Sequence, residues 1–151
     1  MKRMIMISGL ALLMMVVTAC SSTTAPTTVE DGLGQVVPVG DGGSYIDISP
    51  AELAVMFEDQ DFFFVNVHIP YDGEIANTDA HIAFDEILDH LDQLPQDTDA
   101  QIVLYCRSGN MSTTAAHDLV QAGFTNIYNL DGGFRAWEAA GHEVIHNPPS
   151  N

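Results

Sequence analysis

The chain has 151 residues, of which 21 are acidic and four are basic, so its formal net charge is −17 at neutral pH. This length is enough for one domain with one hydrophobic core. The charge excludes nucleic-acid binding through a basic face, and it excludes attraction to anionic lipid through a polybasic segment.

The first residues have the pattern of a bacterial lipoprotein signal peptide. Lys2 and Arg3 form a positive start, residues 4–17 are apolar apart from one serine and one glycine, and Val-Thr-Ala-Cys at 17–20 resembles a lipobox. The apolar run is too short for a confident membrane span and has the flanks of a signal peptide. We therefore predict a signal peptide over 1–19.

Cleavage there would make Cys20 the lipidated N-terminus of the mature chain. An ordinary signal peptide cut after Ala19, or a short anchor, is the alternative. Ser21 follows, a pattern that in Gram-negative bacteria usually directs lipoproteins to the outer membrane. We expect a lipid anchor on the periplasmic side of that membrane, with no other membrane contact. Loss of Lys2 and Arg3 would leave two basic against 21 acidic residues, a formal charge of −19 without any lysine.

Residues 20–43 form the predicted flexible tether. The segment is rich in serine, threonine and proline at first and in glycine later, a composition that cannot bury a core. Only 36–39 could pack on the domain as an extended segment. The predicted domain covers 44–147, and 148–151 form a short tail.

Strand and helix patterns alternate along the predicted domain. Ser49, Pro50 and Glu52 have the pattern of a capping box with proline at the first helical position. The predicted elements are strand 45–48, helix 50–57, strand 62–67, helix 85–94, strand 101–105, helix 113–122, strand 126–130 and helix 134–140. This alternation predicts a single α/β domain with a mainly parallel sheet, whose functional residues lie at the carboxyl ends of the strands.

Cys106 lies directly after the predicted strand 101–105. Ser112 is predicted to be the N-cap of the helix that follows, with Gly123 as its stop. A thiol on such a turn faces unpaired N–H groups and the positive end of a helix dipole, which favour the thiolate. With Cys20 lipidated, Cys106 would be unpaired in an oxidising compartment, which indicates a functional thiol; a buried structural cysteine is the alternative.

Four segments together resemble the rhodanese (sulfurtransferase) family, over about 44–144. They are Phe-Val-Asn-Val-His at 64–68, Ala-His-Ile at 80–82, Tyr-Cys-Arg-Ser-Gly-Asn at 105–110, and Gly-Gly-Phe-Arg-Ala-Trp at 132–137 with Gly141. The resemblance implies a five-stranded, mainly parallel sheet flanked by helices. It also implies that Cys106 takes a sulfane sulfur from a donor as a persulfide and passes it to an acceptor, without a cofactor.

The loop after Cys106 supplies the predicted persulfide-binding residues. Its backbone amides could curl around the charged sulfur as an anion nest, and Gly109 permits the angles that this curl needs. Arg107 could bind an anionic donor or could be an exposed loop charge, and Ser112 suits a helix cap better than a catalytic role. The full predicted set is Arg107, Ser108, Gly109, Asn110, Met111 and Ser112.

Some positions depart from the family pattern. Met111 stands where related loops often have arginine, Asn66 and His68 replace an aspartate and an arginine, and Ala83 replaces a proline. The loss of positive charge next to the sulfur makes free thiosulfate a doubtful donor. A polysulfide, a small persulfide or a sulfur-carrying protein partner is equally compatible, and a thiol or cyanide could be the acceptor.

Two function classes remain from these observations. The first is a sulfurtransferase that uses Cys106, and the second is a non-catalytic rhodanese-like module that binds sulfane sulfur or docks a partner. A phosphatase of this fold would need arginine at position 112, which is serine, and the chain has no Cys-x-x-Cys redox motif. The histidines show no convincing metal-ligand spacing, so we predict no metal site.

Overall fold

The computed structural model of the protein describes residues 32–40 and 42–146. The predicted signal peptide 1–19, the lipidation site Cys20, the first part of the tether and the tail 148–151 lie outside the described residues. Within the described ranges, no helix combines the length and the apolar character needed to cross a membrane.

Six strands form one sheet at the centre of the domain. In chain order they are β1 (Gln35–Val39), β2 (Gly43–Ile48), β3 (Phe63–Asn66), β4 (Ala80–His81), β5 (Ile102–Tyr105) and β6 (Ile127–Leu130). Their order across the sheet is β1-β2-β6-β5-β3-β4. All neighbouring pairs are parallel except β1 with β2, so the predicted mainly parallel α/β sheet is confirmed, with six strands instead of five.

Strand β1 lies inside the segment that the sequence analysis assigned to the tether. It pairs with β2 in antiparallel register from Gln35 opposite Asp47 to Val39 opposite Gly43. Val39 is buried in the core. Pro38 lies on an edge strand, where proline is tolerated because one side of the strand has no neighbouring strand to bond. The extended segment that the sequence analysis allowed at 36–39 is thus a strand of the sheet, so the sheet includes residues before position 44.

Helices cover both faces of the sheet. Helices α1 (Pro50–Met56) and α3 (Gly133–Ala139) pack on one face, while α2 (Asn110–Gln121) and a 3-10 segment, Ile87–Gln93, pack on the other. The 3-10 segment replaces the regular helix predicted over 85–94, since His90 has non-helical angles and Leu94 is extended. Leu94 precedes Pro95, and a residue before proline is disfavoured in the helical region.

The predicted capping box at α1 is confirmed. Ser49 Oγ accepts a hydrogen bond from Glu52 N at 3.3 Å, and the Glu52 carboxylate accepts one from Ser49 N at 2.7 Å. The same carboxylate accepts a bond from Gly34 N at 2.8 Å, which ties the start of β1 to this helix. The hydrogen bonds from Ser49 are the main reason why the pKa of Glu52 is lowered.

Replacement of Ser49 by alanine is expected to lower the free energy of unfolding by about 1 kcal/mol, the usual cost of losing an N-cap side chain. The helix would keep Pro50 at its first position, so the fold itself is retained. Equilibrium urea unfolding measures the change. A stability equal to that of the wild type would contradict the assigned role of the Ser49 hydroxyl.

Candidate active site

Cys106 lies at the carboxyl end of β5, where the chain turns into α2. Its side chain is buried, with an exposed fraction of 1%. Gly109 is the N-cap of α2 and has a left-handed backbone, with φ of 95°, that a residue with a side chain rarely adopts. The predicted N-cap Ser112 is therefore wrong, because the glycine lets the helix begin at Asn110, two residues before the serine.

Ser112 instead contacts the candidate nucleophile. Its Oγ lies 3.5 Å from Cys106 Sγ and donates a hydrogen bond to Gly109 O at 3.0 Å. The side chain is fully buried in the first turn of α2. The single hydroxyl proton can turn toward either acceptor, so Ser112 can donate to the sulfur when that atom carries negative charge.

One backbone amide of the loop points directly at the sulfur. Gly109 N donates a hydrogen bond to Cys106 Sγ at 3.1 Å. Carbonyls of the same loop turn the other way, toward the N-terminus of α3: Phe134 N donates to Cys106 O at 2.9 Å, and Arg135 N donates to Arg107 O at 3.1 Å. Contacts with α3 thus hold the loop with its carbonyls turned away from the thiol.

Gly133 allows this close approach of α3 to the loop. A Cβ atom at this position would lie 2.3 Å from Cys106 O and 2.7 Å from Ser108 N, inside contact distance of both. Its φ of 60° is also left-handed. The Gly-Gly pair that the sequence analysis quoted for the family resemblance therefore supports the candidate site directly, although its role there was not predicted.

The predicted binding residues divide between the inside and the outside of the loop. Arg107, Ser108 and Asn110 are exposed, Gly109 and Ser112 are buried beside the sulfur, and Met111 is half-buried in the core cluster that includes Cys106. Arg107 Nε forms an ion pair with Asp72 Oδ2 at 3.3 Å. Asp72 was missed by sequence reasoning, because it lies in the long loop after β3 and belongs to no local pattern.

His68 follows β3 and faces the start of α2. Its Nδ1 lies 3.3 Å from Met111 Sδ, and because a thioether sulfur can only accept, a hydrogen bond between them requires the tautomer with the proton on Nδ1. Asn66 holds the segment in place, since its amide group donates to Gly73 O and its carbonyl oxygen accepts from His68 N. Burial lowers the pKa of His68, the Asp72 carboxylate opposes this and Arg107 adds to it; the net shift is downward, which favours the neutral ring.

The lowered pKa of His68 predicts a pH dependence of stability. The unfolded chain, whose histidine keeps the ordinary pKa of 6.5, binds this proton more readily than the folded chain. The free energy of unfolding should therefore fall as the pH is lowered below 6.5. Above pH 6.5 the neutral His68 ring should make its full contribution to stability. His68→Gln is expected to flatten that slope relative to the wild type in urea titrations at several pH values.

His117→Gln is the matched control for this measurement, because His117 is an exposed histidine on α2. We expect His68→Gln to change the slope more than this control does, and a His68→Gln slope identical to that of the wild type would contradict the prediction. Comparison with the wild type is needed because hydrogen bonds to Asp72 O and to Glu138 raise the pKa of His146, so its contribution to stability is lost as the pH rises above 6.5, in the range next to that of His68.

The described residues contain no group of three or more histidine, cysteine, aspartate or glutamate side chains that could hold a metal ion. The candidate site is thus one buried thiol with an amide and a hydroxyl beside it. Such a site can stabilise a negatively charged sulfur without further groups.

Comparison with known protein families gives a direct match. The family model described as the rhodanese-like domain matches residues 46–140. The chain belongs to the rhodanese-like family. The match contains β3, β5, the loop of Cys106 and α3, which are the rhodanese-like elements that build the candidate site.

Curated relatives of this rhodanese-like chain include proteins named for different activities. The thiosulfate sulfurtransferase GlpE of Pseudoalteromonas translucida is 40% identical over 78 residues, which cover 52% of this chain and 66% of that protein. The tRNA uridine(34) hydroxylase of Erwinia tasmaniensis is 31% identical over 112 residues, which cover 70% of this chain and 31% of that protein. The chain thus spans less than two thirds of the length of both relatives.

Solved structures agree with this fold. A rhodanese-related protein from Thermoplasma volcanium matches with a TM-score of 0.57 and 27% identity, covering 67% of this chain and 98% of that one. The rhodanese-like domain of an Anabaena protein matches with a TM-score of 0.59 and 21% identity, covering 70% and 85%. The second likeness concerns the fold alone.

Proposed function

We propose that the protein is a rhodanese-type sulfurtransferase that moves a sulfane sulfur from a donor to a thiophilic acceptor through a persulfide on Cys106. The observation that carries the proposal is the position of Cys106 Sγ, which accepts a hydrogen bond from Gly109 N at the carboxyl end of the central strand β5. The sequence similarity to a thiosulfate sulfurtransferase over the matched residues supports it.

In the first half-reaction the Cys106 thiolate attacks the outer sulfur of the donor. A new S–S bond forms on Cys106, the S–S bond of the donor breaks, and its electron pair leaves on the remainder of the donor. The bound outer sulfur then carries the negative charge. Gly109 N and the Ser112 hydroxyl, which already contact Sγ, would stabilise charge at this end of the loop.

In the second half-reaction a thiol or cyanide attacks the outer sulfur of the persulfide. The S–S bond to Cys106 breaks, and the electron pair returns to Sγ as the thiolate, so no external oxidant or reductant is consumed. The contacts with α3 would keep the loop in one shape through both steps, because the carbonyls of Cys106 and Arg107 stay bonded to Phe134 N and Arg135 N.

We also propose, from the sequence pattern at 17–20, that Cys20 carries lipid and that the domain works at the cell envelope, on the periplasmic side of the outer membrane. Small sulfur donors and small thiol or cyanide acceptors would reach it there, and a sulfur-carrying protein is a further candidate partner.

Intact-mass spectrometry of the purified chain, after incubation with thiosulfate or with a small persulfide, tests the sulfurtransferase proposal. We expect a gain of one sulfur atom that cyanide removes and that the Cys106→Ala variant does not show. A chain that gains no sulfur from either donor, although it is folded and its thiol is free, would contradict the proposal and favour the non-catalytic module. A gain that cyanide or thiols cannot remove would indicate sulfur storage instead of transfer.

A further inference from the structure

We infer that Asp72 and Met111 make the site select an organic persulfide of low negative charge over dianionic thiosulfate. The inference rests on the proposed sulfurtransferase function and names its donor class. Its basis is that the one basic side chain of the loop after Cys106 is paired with a carboxylate.

The loop has one basic side chain, and that side chain is already paired. Arg107 Nε lies 3.3 Å from Asp72 Oδ2, with both side chains about half exposed, at 49% and 47%. The only other arginine in the described residues is Arg135, an exposed residue of α3 whose contact with the loop is the bond from its backbone N to Arg107 O. A dianion entering beside Arg107 would have to displace the Asp72 carboxylate or lie close to it, and like charges at this distance repel.

Asp72 is held in position by contacts on both sides. Gly73 O accepts from the buried Asn66 amide at 2.9 Å, and Glu74 pairs with Ile145 through two backbone hydrogen bonds of 2.9 and 2.7 Å. Ile75 N donates to the hydroxyl of Tyr105, the residue before Cys106, at 3.0 Å. The loop is thus anchored to β3, to β5 and to the segment at Ile145. These contacts fix the backbone that places Asp72 opposite Arg107.

Met111 places an apolar thioether side chain in the first turn of α2. Its side chain packs against the core cluster that contains Cys106, and its sulfur contacts His68 Nδ1 at 3.3 Å. Burial lowers the pKa of His68, which disfavours a positive charge on this ring. An organic substituent on the donor can pack against a thioether, whereas a sulfonate group would lose water there without gaining a cation.

The net charge of the chain acts in the same direction. A formal charge of −17 repels dianionic thiosulfate more strongly than a persulfide, which carries at most one negative charge on its sulfur atoms. In the proposed step, the Cys106 thiolate attacks the outer sulfur of R–S–SH. The Cys106 S–S bond forms, the donor S–S bond breaks, and R–S⁻ leaves with the electron pair, so that charge and atoms balance.

The test compares the second-order rate of sulfur loading on Cys106 from thiosulfate and from 2-hydroxyethyl persulfide, by intact mass, on the full chain in detergent. For the wild type we expect loading by the persulfide to be at least about tenfold faster. Asp72→Asn frees Arg107 and should raise the thiosulfate-to-persulfide rate ratio by about five- to tenfold. The double variant Asp72→Asn with Arg107→Ala should lose this gain.

Asp92→Asn is the control, because it removes the same charge from an exposed residue of the 3-10 segment. This variant should keep the wild-type ratio, which separates the local pair from the overall charge. Met111→Arg is a second, independent variant that adds a positive charge beside the loop. It should also raise the thiosulfate-to-persulfide rate ratio, so the inference stays testable if Asp72→Asn fails to fold.

Equal loading by both donors in the wild type, or equal ratios for Asp72→Asn and Asp92→Asn, would overturn the inference and leave the sulfurtransferase proposal intact. Absence of loading by either donor would instead contradict the proposed function on which the inference rests.

Discussion

Sulfur transfer from persulfide to cyanide is expected to fall by at least about 10³-fold when Cys106 is replaced by serine. Serine retains the shape of the side chain and can still accept the hydrogen bond from Gly109 N. Its hydroxyl has no base in contact among the described residues, and the neutral oxygen is a poor nucleophile toward sulfur. The initial rate of thiocyanate formation measures the loss.

The control for Cys106→Ser is its stability. Because serine is smaller than cysteine and its hydroxyl can keep the bond from Gly109 N, the variant should fit the buried position and remain folded. A folded Cys106→Ser protein with more than about a tenth of the wild-type rate would show that another group carries the sulfur.

Replacement of Gly133 by alanine is expected to cost about 3 kcal/mol of unfolding free energy and to reduce sulfur transfer strongly. The new Cβ would lie 2.3 Å from Cys106 O and 2.6 Å from Arg107 C, so the backbone of the loop or of α3 must move. Backbone atoms cannot swing aside as the end of a flexible side chain can. Movement would break the bonds from Phe134 N and Arg135 N that hold the loop.

Gly141→Ala is the matched control for Gly133→Ala. Gly141 also has a left-handed backbone, with φ of 94°, but nothing lies within 4 Å of an added Cβ. Its variant should therefore show the conformational strain alone, about 1 kcal/mol, and should keep its transfer rate. Equal losses of stability and rate in the two variants would show that the close approach of α3 to the loop has no role.

The sequence by itself determined the features that depend on neighbours within one turn or one strand. The apolar run before Cys106 predicted β5, the spacing of Ser49, Pro50 and Glu52 predicted the start of α1, and strand–helix alternation predicted the parallel sheet. Each of these signals is local, because strand periodicity and helix capping involve residues that are close in the chain. The position of Cys106 between strand and helix was therefore predictable.

Features that depend on distant partners were not predictable in this way. The valine-rich run of β1 became a strand because β2 offered it a complete antiparallel register. The start of α2 was missed for a local reason, because Gly109 caps the helix with a left-handed backbone whereas the usual preference for serine caps favoured Ser112.

Tertiary structure alone decided what surrounds the thiol. Asp72 pairs with Arg107 from a loop 35 positions earlier in the chain. The imidazole ring of His68 contacts the sulfur of Met111, 43 positions later. No local pattern contains such a pair, because it forms only where parallel strands bring their carboxyl ends to one edge of the sheet. The sequence thus determined which residue is the candidate nucleophile, and the fold decided the charge and polarity of its surroundings.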